Sequence, residues 1–315
     1  MKIALLFPGQ GSQYVGMGKE LYDNYPKAKE IIDLAGEELK KIIFDGPEEI
    51  LKLTKYTQPA IFTVSAAAFE VFKSLTDFSK HNFVAAGHSL GEYCAMYAAG
   101  FFGFKDGLEM VKARGSFIQA ASEAKRGTMA AIIGFEQSLV EKFCREASSL
   151  GVCEPVNFNS SGQIVIAGEI LAVDKAIELA NAAGKLASGA VKCVVLNVSG
   201  AFHSSLMSSA ADAMSKELEK YAIKQPSFAV YTNCDAQPTM QADAVKEKLV
   251  SQIKSAVKWS ESVQHIINDG FEDFIEIGPG KVLSGLLKRI DRSKKALNVE
   301  DRASLEKTLE VTARF

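Results

Sequence analysis

Histidine is scarce in this chain and tryptophan scarcer: four of the first, and Trp259 alone, among 315 residues. Chemistry that needs an imidazole base must therefore draw on His81, His88, His203 or His265. The five cysteines are odd in number, widely spaced and form no C-x-x-C, which argues against a disulfide framework and a zinc site. No metal is expected. Charge of one sign is lacking too: a formal net charge of −2, without a Lys/Arg block, gives no general attraction to nucleic acid or an anionic membrane. The N-terminal apolar run, residues 3–7, is cut short by Pro8-Gly9, too soon for a signal peptide or a membrane span. A cytoplasmic protein that touches neither nucleic acid nor membrane is expected. Phosphate-loop (G-x-x-x-x-G-K-S/T) and zinc-protease (H-E-x-x-H) patterns are missing. Tyr14 holds the place of the third glycine that a dinucleotide fingerprint starting at Gly9 would need.

What the chain does have is apolar substance, 47% hydrophobic residues, enough to bury one large domain or one domain plus a smaller one. Apolar runs suited to buried strands lie at 3–7, 83–86, 228–231 and 274–277, mostly with helical patterns after them, which predicts an α/β fold with a parallel sheet. Between about 127 and 198 the order changes to strand 129–133, helix 136–149, a hairpin of 155–158 with 164–167, helix 172–183 and strand 191–198. That β-α-β-β-α-β order matches a ferredoxin-like subdomain (127–198) inserted between the two parts (1–126 and 199–315) of a discontinuous larger domain. A ligand cleft is expected at the junction.

The most informative stretch is Gly87-His88-Ser89-Leu90-Gly91, a G-x-S-x-G pattern between a strand-like run and a helix-like one. Its glycines permit a tight strand-to-helix turn that presents Ser89 Oγ beside unpaired helix N–H groups, so Ser89 is the candidate nucleophile. Of the histidines, His265 sits among core-like residues on a predicted helix and His81 in a polar turn. His88 adjoins Ser89 and is expected to shape the site, because neighbours in such an elbow point apart. His203 follows the last strand of the insert and precedes a predicted helix over 204–221, where the helix dipole disfavours imidazolium; it is the candidate base. No acidic residue stands in an obvious strand-end turn as a third member, so a dyad is expected, with the second ring nitrogen donating to some other acceptor, such as a backbone carbonyl. Arg114 lies opposite the wet face of a predicted helix over 106–122, marked by Glu109, Lys112, Ser116 and Gln119. A guanidinium there needs an anion, either a protein carboxylate or the carboxylate of a substrate. The loop 7–13, FPGQGSQ, can offer a backbone N–H and an amide to a polar ligand.

FPGQGSQ (7–13), GHSLGEY (87–93), NFNSSGQIVIAG (157–168) and EIGPGKVL (276–283) together resemble the malonyl-CoA:acyl carrier protein transacylases of bacterial fatty acid synthesis. The resemblance runs to about residue 290. It implies an α/β-hydrolase-like domain with an inserted ferredoxin-like subdomain, and transfer of malonyl from malonyl-CoA to the phosphopantetheine thiol of acyl carrier protein through a serine ester. It also implies Ser89 as nucleophile, His203 as base, Arg114 as the clamp on the malonyl carboxylate, the backbone N–H groups of Gln10 and Leu90 as oxyanion hole, and the Gln252 carbonyl as the partner of the His203 ring. Ala201-Phe202-His203 resembles the malonyl-selective form of the motif, with Phe202 narrowing the site. No cofactor is implied, coenzyme A being part of the substrate, and a monomer is expected. Many relatives carry proline at the place of Ala201 and within 254–258, around Ala256; looser loops around His203 and Gln252 are expected in its absence. A serine thioesterase or esterase, and a non-catalytic carrier-docking scaffold, are the alternatives; a buried arginine and a lasting malonyl adduct would set the transferase apart from both.

Overall fold

The structure, a computed structural model, describes residues 1–186 and 191–313, so residues 187–190 of the expected insert lie outside it. Among the described residues the strands are β1 (Lys2–Phe7), β2 (Asn82–Gly87), β3 (Thr128–Ile133), β4 (Cys153–Ser160), β5 (Gln163–Gly168), β6 (Lys192–Val195), β7 (Ala229–Tyr231), β8 (Pro238–Thr239), β9 (Asp273–Ile277) and β10 (Ala296–Val299). One sheet has the order β10-β9-β1-β2-β7-β8, parallel throughout except for the short β7–β8 pair. β1 and β2 are central and buried beyond their first residues, which is why they read as continuous apolar runs rather than alternating ones. Successive side chains still serve opposite faces. Ile3, Leu5 and Phe7 pack with the buried helix Thr54–Leu75, whereas Ala4 and Leu6 meet Trp259, Val263 and Leu283 on the other side.

The second sheet is antiparallel, order β4-β5-β3-β6, with the helices Gln137–Ala147 and Ile170–Leu186 over one face. Its chain order is the β-α-β-β-α-β read from the sequence. β4 is tied to the segment before Trp259, where Val257 N–H donates to the Val156 carbonyl at 2.8 Å and Phe158 N–H to the Val257 carbonyl at 2.9 Å.

Two elements end earlier than the sequence suggested. The strand expected over 191–198 stops at Val195, and Val198 N–H turns back to the Leu196 carbonyl at 3.0 Å, taking the chain off the sheet edge. The helix expected over 204–221 is a 3₁₀ turn, Ser205–Met207, followed by an α-helix, Ser208–Leu218. His203 thus precedes a single tight turn, and a helix dipole does not account for its charge state. β8 and β10 went unread, being two and four residues long. The five cysteines are free thiols. Among the described residues no helix is long and apolar enough to cross a membrane.

Candidate active site

β1, β2 and β7 deliver their C-terminal ends to one edge of the parallel sheet, the edge at which open α/β sheets bind ligands. β2 ends at Gly87 and the helix Gly91–Ala99 follows at once, so the chain must reverse within three residues. Ser89 absorbs the reversal with φ 52°, the left-handed region that a residue with a side chain enters only under strain. Glycine is required beside it: a Cβ on Gly91 would stand 2.0 Å from the carbonyl oxygen of Phe7, the last residue of β1. A Cβ on Gly9 would stand 2.3 Å from the His88 carbonyl oxygen, so the loop after β1 lies directly on the elbow. That loop is tied by Ser12, whose Oγ donates to the Gly9 carbonyl at 2.8 Å, and by the Gln10 amide, which reaches Thr54 Oγ1 at 3.4 Å. Among the described residues the backbone N–H groups of Gln10 and Leu90 meet no acceptor.

His203 also has positive φ, 62°. Its Nε2 lies 2.7 Å from Ser89 Oγ and its Nδ1 2.8 Å from the Gln252 carbonyl. A carbonyl only accepts, so Nδ1 carries the proton and the Nε2 lone pair faces the serine hydroxyl. The expected looser loops do not separate these groups: Ser204 Oγ donates to the Ala201 carbonyl at 2.6 Å, and the Gln252 carbonyl holds the ring. Burial, reinforced by the Arg114 cation, pushes the His203 pKa down to about 3, so the ring is neutral at neutral pH and its Nε2 lone pair is free to accept. Phe202 stands half-buried next to it.

Arg114, on the helix Phe104–Ala124, is 1% exposed. Its partners are neutral: Nη1 donates to Gln58 Oε1 at 2.7 Å, and Nη2 donates to Gln252 Oε1 at 2.9 Å and Ser89 Oγ at 3.2 Å. Its guanidinium lies 5.5 Å from the centre of the Tyr93 ring, and Nε has no partner. Of the two readings of this buried arginine, the protein carboxylate finds no salt bridge among the described residues. The cation is left turned toward the Ser89 hydroxyl.

His88 points away from His203. Its Nε2 is 2.8 Å from Asn159 Oδ1 on β4, and its ring leans on buried Trp259 with 5.6 Å between centroids. His265 bonds the Ala236 carbonyl through Nδ1, and His81 packs against Phe83; neither meets Ser89.

Four further residues complete the site and were not read from the sequence: Gln58, Glu92, Asn159 and Asn233. Asn233, just beyond β7, accepts the Ser89 N–H at Oδ1 (2.7 Å) and donates from Nδ2 to the Gly87 carbonyl (2.7 Å), clamping the elbow from both sides. Glu92 Oε2 accepts from Asn233 N–H at 3.0 Å and from Gln252 Nε2 at 2.8 Å. Burial raises its carboxyl pKa to about 7. Sequence signals existed for three of them: Glu92 and Asn159 lie inside the motifs GHSLGEY (87–93) and NFNSSGQIVIAG (157–168), and Gln58 is a polar side chain before Pro59 on a helix otherwise apolar from Pro59 to Phe69 except for Thr63 and Ser65.

A strained serine on a strand–helix elbow, bonded to a neutral histidine at the edge of a parallel sheet, is the geometry of a nucleophilic-serine α/β enzyme. The comparisons narrow that class. The acyl transferase domain family matches residues 4–308. A malonyl CoA-acyl carrier protein transacylase of Bacillus subtilis is 42% identical over 313 residues, spanning 97% of this chain and 95% of that protein. Its counterpart in Escherichia coli is 40% identical over 314 residues, spanning 98% and 99%. The transacylase structure from Clostridium perfringens superposes with a TM-score of 0.92 at 38% identity, covering 100% of this chain and 98% of that one. A malonyl-transacylase solved in complex with its type II PKS acyl-carrier protein gives 0.92 at 38% identity, covering 99% and 100%. The chain belongs to the acyl transferase domain family and, within it, to the malonyl CoA-acyl carrier protein transacylases.

Proposed function

We propose that this chain takes malonyl from malonyl-CoA onto Ser89 and passes it to the phosphopantetheine thiol of acyl carrier protein, in a ping-pong reaction that supplies fatty acid elongation. The observation that carries this reading is the convergence on one oxygen: Ser89 Oγ meets the His203 lone pair at 2.7 Å and, at 3.2 Å, an arginine with no carboxylate in contact among the described residues. His203 Nε2 takes the hydroxyl proton as Oγ adds to the thioester carbonyl. The Gln10 and Leu90 N–H groups receive the developing oxyanion. As the intermediate collapses, the C–S bond breaks and the imidazolium returns its proton to the leaving thiolate. The second half-reaction runs the same steps backwards from the carrier thiol. The malonyl carboxylate on Arg114 offsets the cation that holds His203 down, making the ring a stronger base once substrate is bound. No metal or redox group enters any step.

In the same reading residues 1–126 and 199–315 form an α/β-hydrolase-like catalytic domain, and 127–198 a ferredoxin-like subdomain that walls the site through Asn159. His88 and Phe202 shape the acyl pocket. The chain works as a cytoplasmic monomer, with no nucleic acid or membrane partner.

Intact-mass measurement after mixing with malonyl-CoA tests the reaction. One malonyl per chain should appear, map to Ser89 and leave when holo-acyl carrier protein is added. Ser89→Ala, which removes one half-buried oxygen and no core volume, should give no adduct. A malonyl group on another residue, or an adduct that only water discharges, would overturn the reading.

A further inference from the structure

Arg114 has a positional puzzle built into it. A guanidinium that is 1% exposed must be aimed by neighbouring groups, yet a carboxylate in direct contact would occupy the donors that a substrate carboxylate requires. Glu92 resolves it by standing one amide away. It is fully buried on the helix behind the elbow, its Oε2 2.8 Å from Gln252 Nε2, and Gln252 Oε1 on the other end of the same amide is 2.9 Å from Arg114 Nη2. Because a carboxylate oxygen accepts and a guanidinium only donates, the two groups together admit a single orientation of the Gln252 amide.

We infer that Glu92 is a positioning residue for malonyl selectivity: by holding the Gln252 amide in that orientation it keeps Arg114 aimed at Ser89 Oγ with donors left over for the substrate carboxylate, without itself touching substrate. The inference rests on the malonyl-transfer reading above and adds a residue to it. Three further observations support it. Gln252 is fully buried and its Nε2 also donates to the Ser89 carbonyl at 2.8 Å, so a flipped amide would turn its NH2 group toward Arg114 and displace the clamp, while the main-chain carbonyl that holds His203 Nδ1 stays in place. Asn233, which holds the Ser89 N–H, is fixed by the same Glu92 oxygen. Arg114 retains unfilled donors, Nε among them. Glu92 Oε1 meets no partner, so a proton there leaves Oε2 free to accept. The orientation therefore does not depend on whether the carboxyl is ionised.

The experiment compares malonyl-CoA with acetyl-CoA in single-turnover acylation of Ser89 by the full-length native protein, Glu92→Gln, Glu92→Leu and Glu92→Asp. Native adduct formation is read first, because its absence would refute the malonyl-transfer reading itself. Glu92→Gln keeps an acceptor at the Oε2 position and should stay within about fivefold of native for both substrates. Glu92→Leu removes the acceptor, and Glu92→Asp withdraws it by one methylene. Each should lower malonyl kcat/KM by about 10²-fold, the effect of misplacing a binding group by an ångström, and collapse the malonyl-to-acetyl ratio. A purely structural carboxylate would instead lower both substrates in proportion to the folded fraction and leave the ratio alone. If Glu92→Leu does not fold, Glu92→Asp carries the comparison. An unchanged ratio in a folded Leu or Asp variant whose native counterpart forms the adduct would overturn the inference and leave the reaction intact.

Discussion

Arg114 is buried among an amide oxygen on either side and the serine hydroxyl, with the aromatic face of Tyr93 beneath it. In the proposed reaction malonyl would bring a carboxylate to this cation and acetyl would not. The loss of one partner from a buried charge pair costs about 2–5 kcal/mol, whereas a methylene is worth only about 1–3 kcal/mol, so charge outweighs size in choosing between them. Arg114→Ala should accordingly lower kcat/KM for malonyl-CoA by about 10²-fold or more and leave acetyl-CoA unchanged or improved. Arg114→Lys should recover part of the loss, since an ammonium supplies the charge without the planar fork. Steady-state competition between the two thioesters is the measurement. Equal losses on both, with a fall in thermal stability, would make Arg114 a structural residue.

The elbow depends on how closely the helix Gly91–Ala99 approaches β1. Helix propensity alone favours alanine over glycine by about 1 kcal/mol, so Gly91→Ala would stabilise an isolated helix. Here the new Cβ would meet the Phe7 carbonyl oxygen at 2.0 Å, a backbone atom in a central strand that has no room to yield. Overpacking of this kind costs about 1–3 kcal/mol and outweighs the propensity gain. The variant is expected to melt several degrees lower and to acylate slowly, because moving the helix displaces Ser89 from His203 and the Leu90 N–H from the loop at Gln10. A thermal melt and the rate of adduct formation check this. A more stable, fully active variant would mean that the strand and helix are less tightly apposed than described.

The stability of the whole molecule should carry the signature of two buried groups with opposite shifts. His203, at about 3 when folded against an ordinary 6.5, binds fewer protons than in the unfolded chain, so its contribution is complete above pH 6.5 and is lost as pH falls toward 3. Glu92, at about 7 against 4.5, binds more, so its contribution is complete below pH 4.5 and is lost as pH rises toward 7. Between pH 4.5 and 6.5 the two slopes oppose each other. Relative to native protein, Glu92→Gln should lose Tm as pH is lowered from 7 to 4.5, and His203→Asn should gain it over the same range. Melting curves at half-unit pH steps decide the matter. Parallel pH profiles for all three proteins would show that neither shift operates.

The sequence by itself determined the strand cores, the β-α-β-β-α-β order of the second sheet, the elbow at Ser89 and the choice of His203 as its hydrogen-bond partner. Each is written in short-range features: a run of apolar residues, glycines at fixed offsets, a periodicity that places Arg114 on the dry side of its helix. Boundaries blurred where a tight turn replaced a regular element, as after Val195 and before Ser208. The family resemblance named the Gln252 carbonyl as the partner of His203, but the side-chain contacts of Asn233, Glu92 and Gln252 around the pair were decided by tertiary structure. Asn233 reaches Ser89 across 144 residues of chain, and Gln252 reaches Arg114 across 138. An asparagine after a strand or a glutamine inside a helix looks like any solvated polar residue until the fold removes water from it. Only then must each donor and acceptor find a partner, and it is that burial, which no local pattern encodes, that turns Glu92, Asn233 and Gln252 into parts of one site.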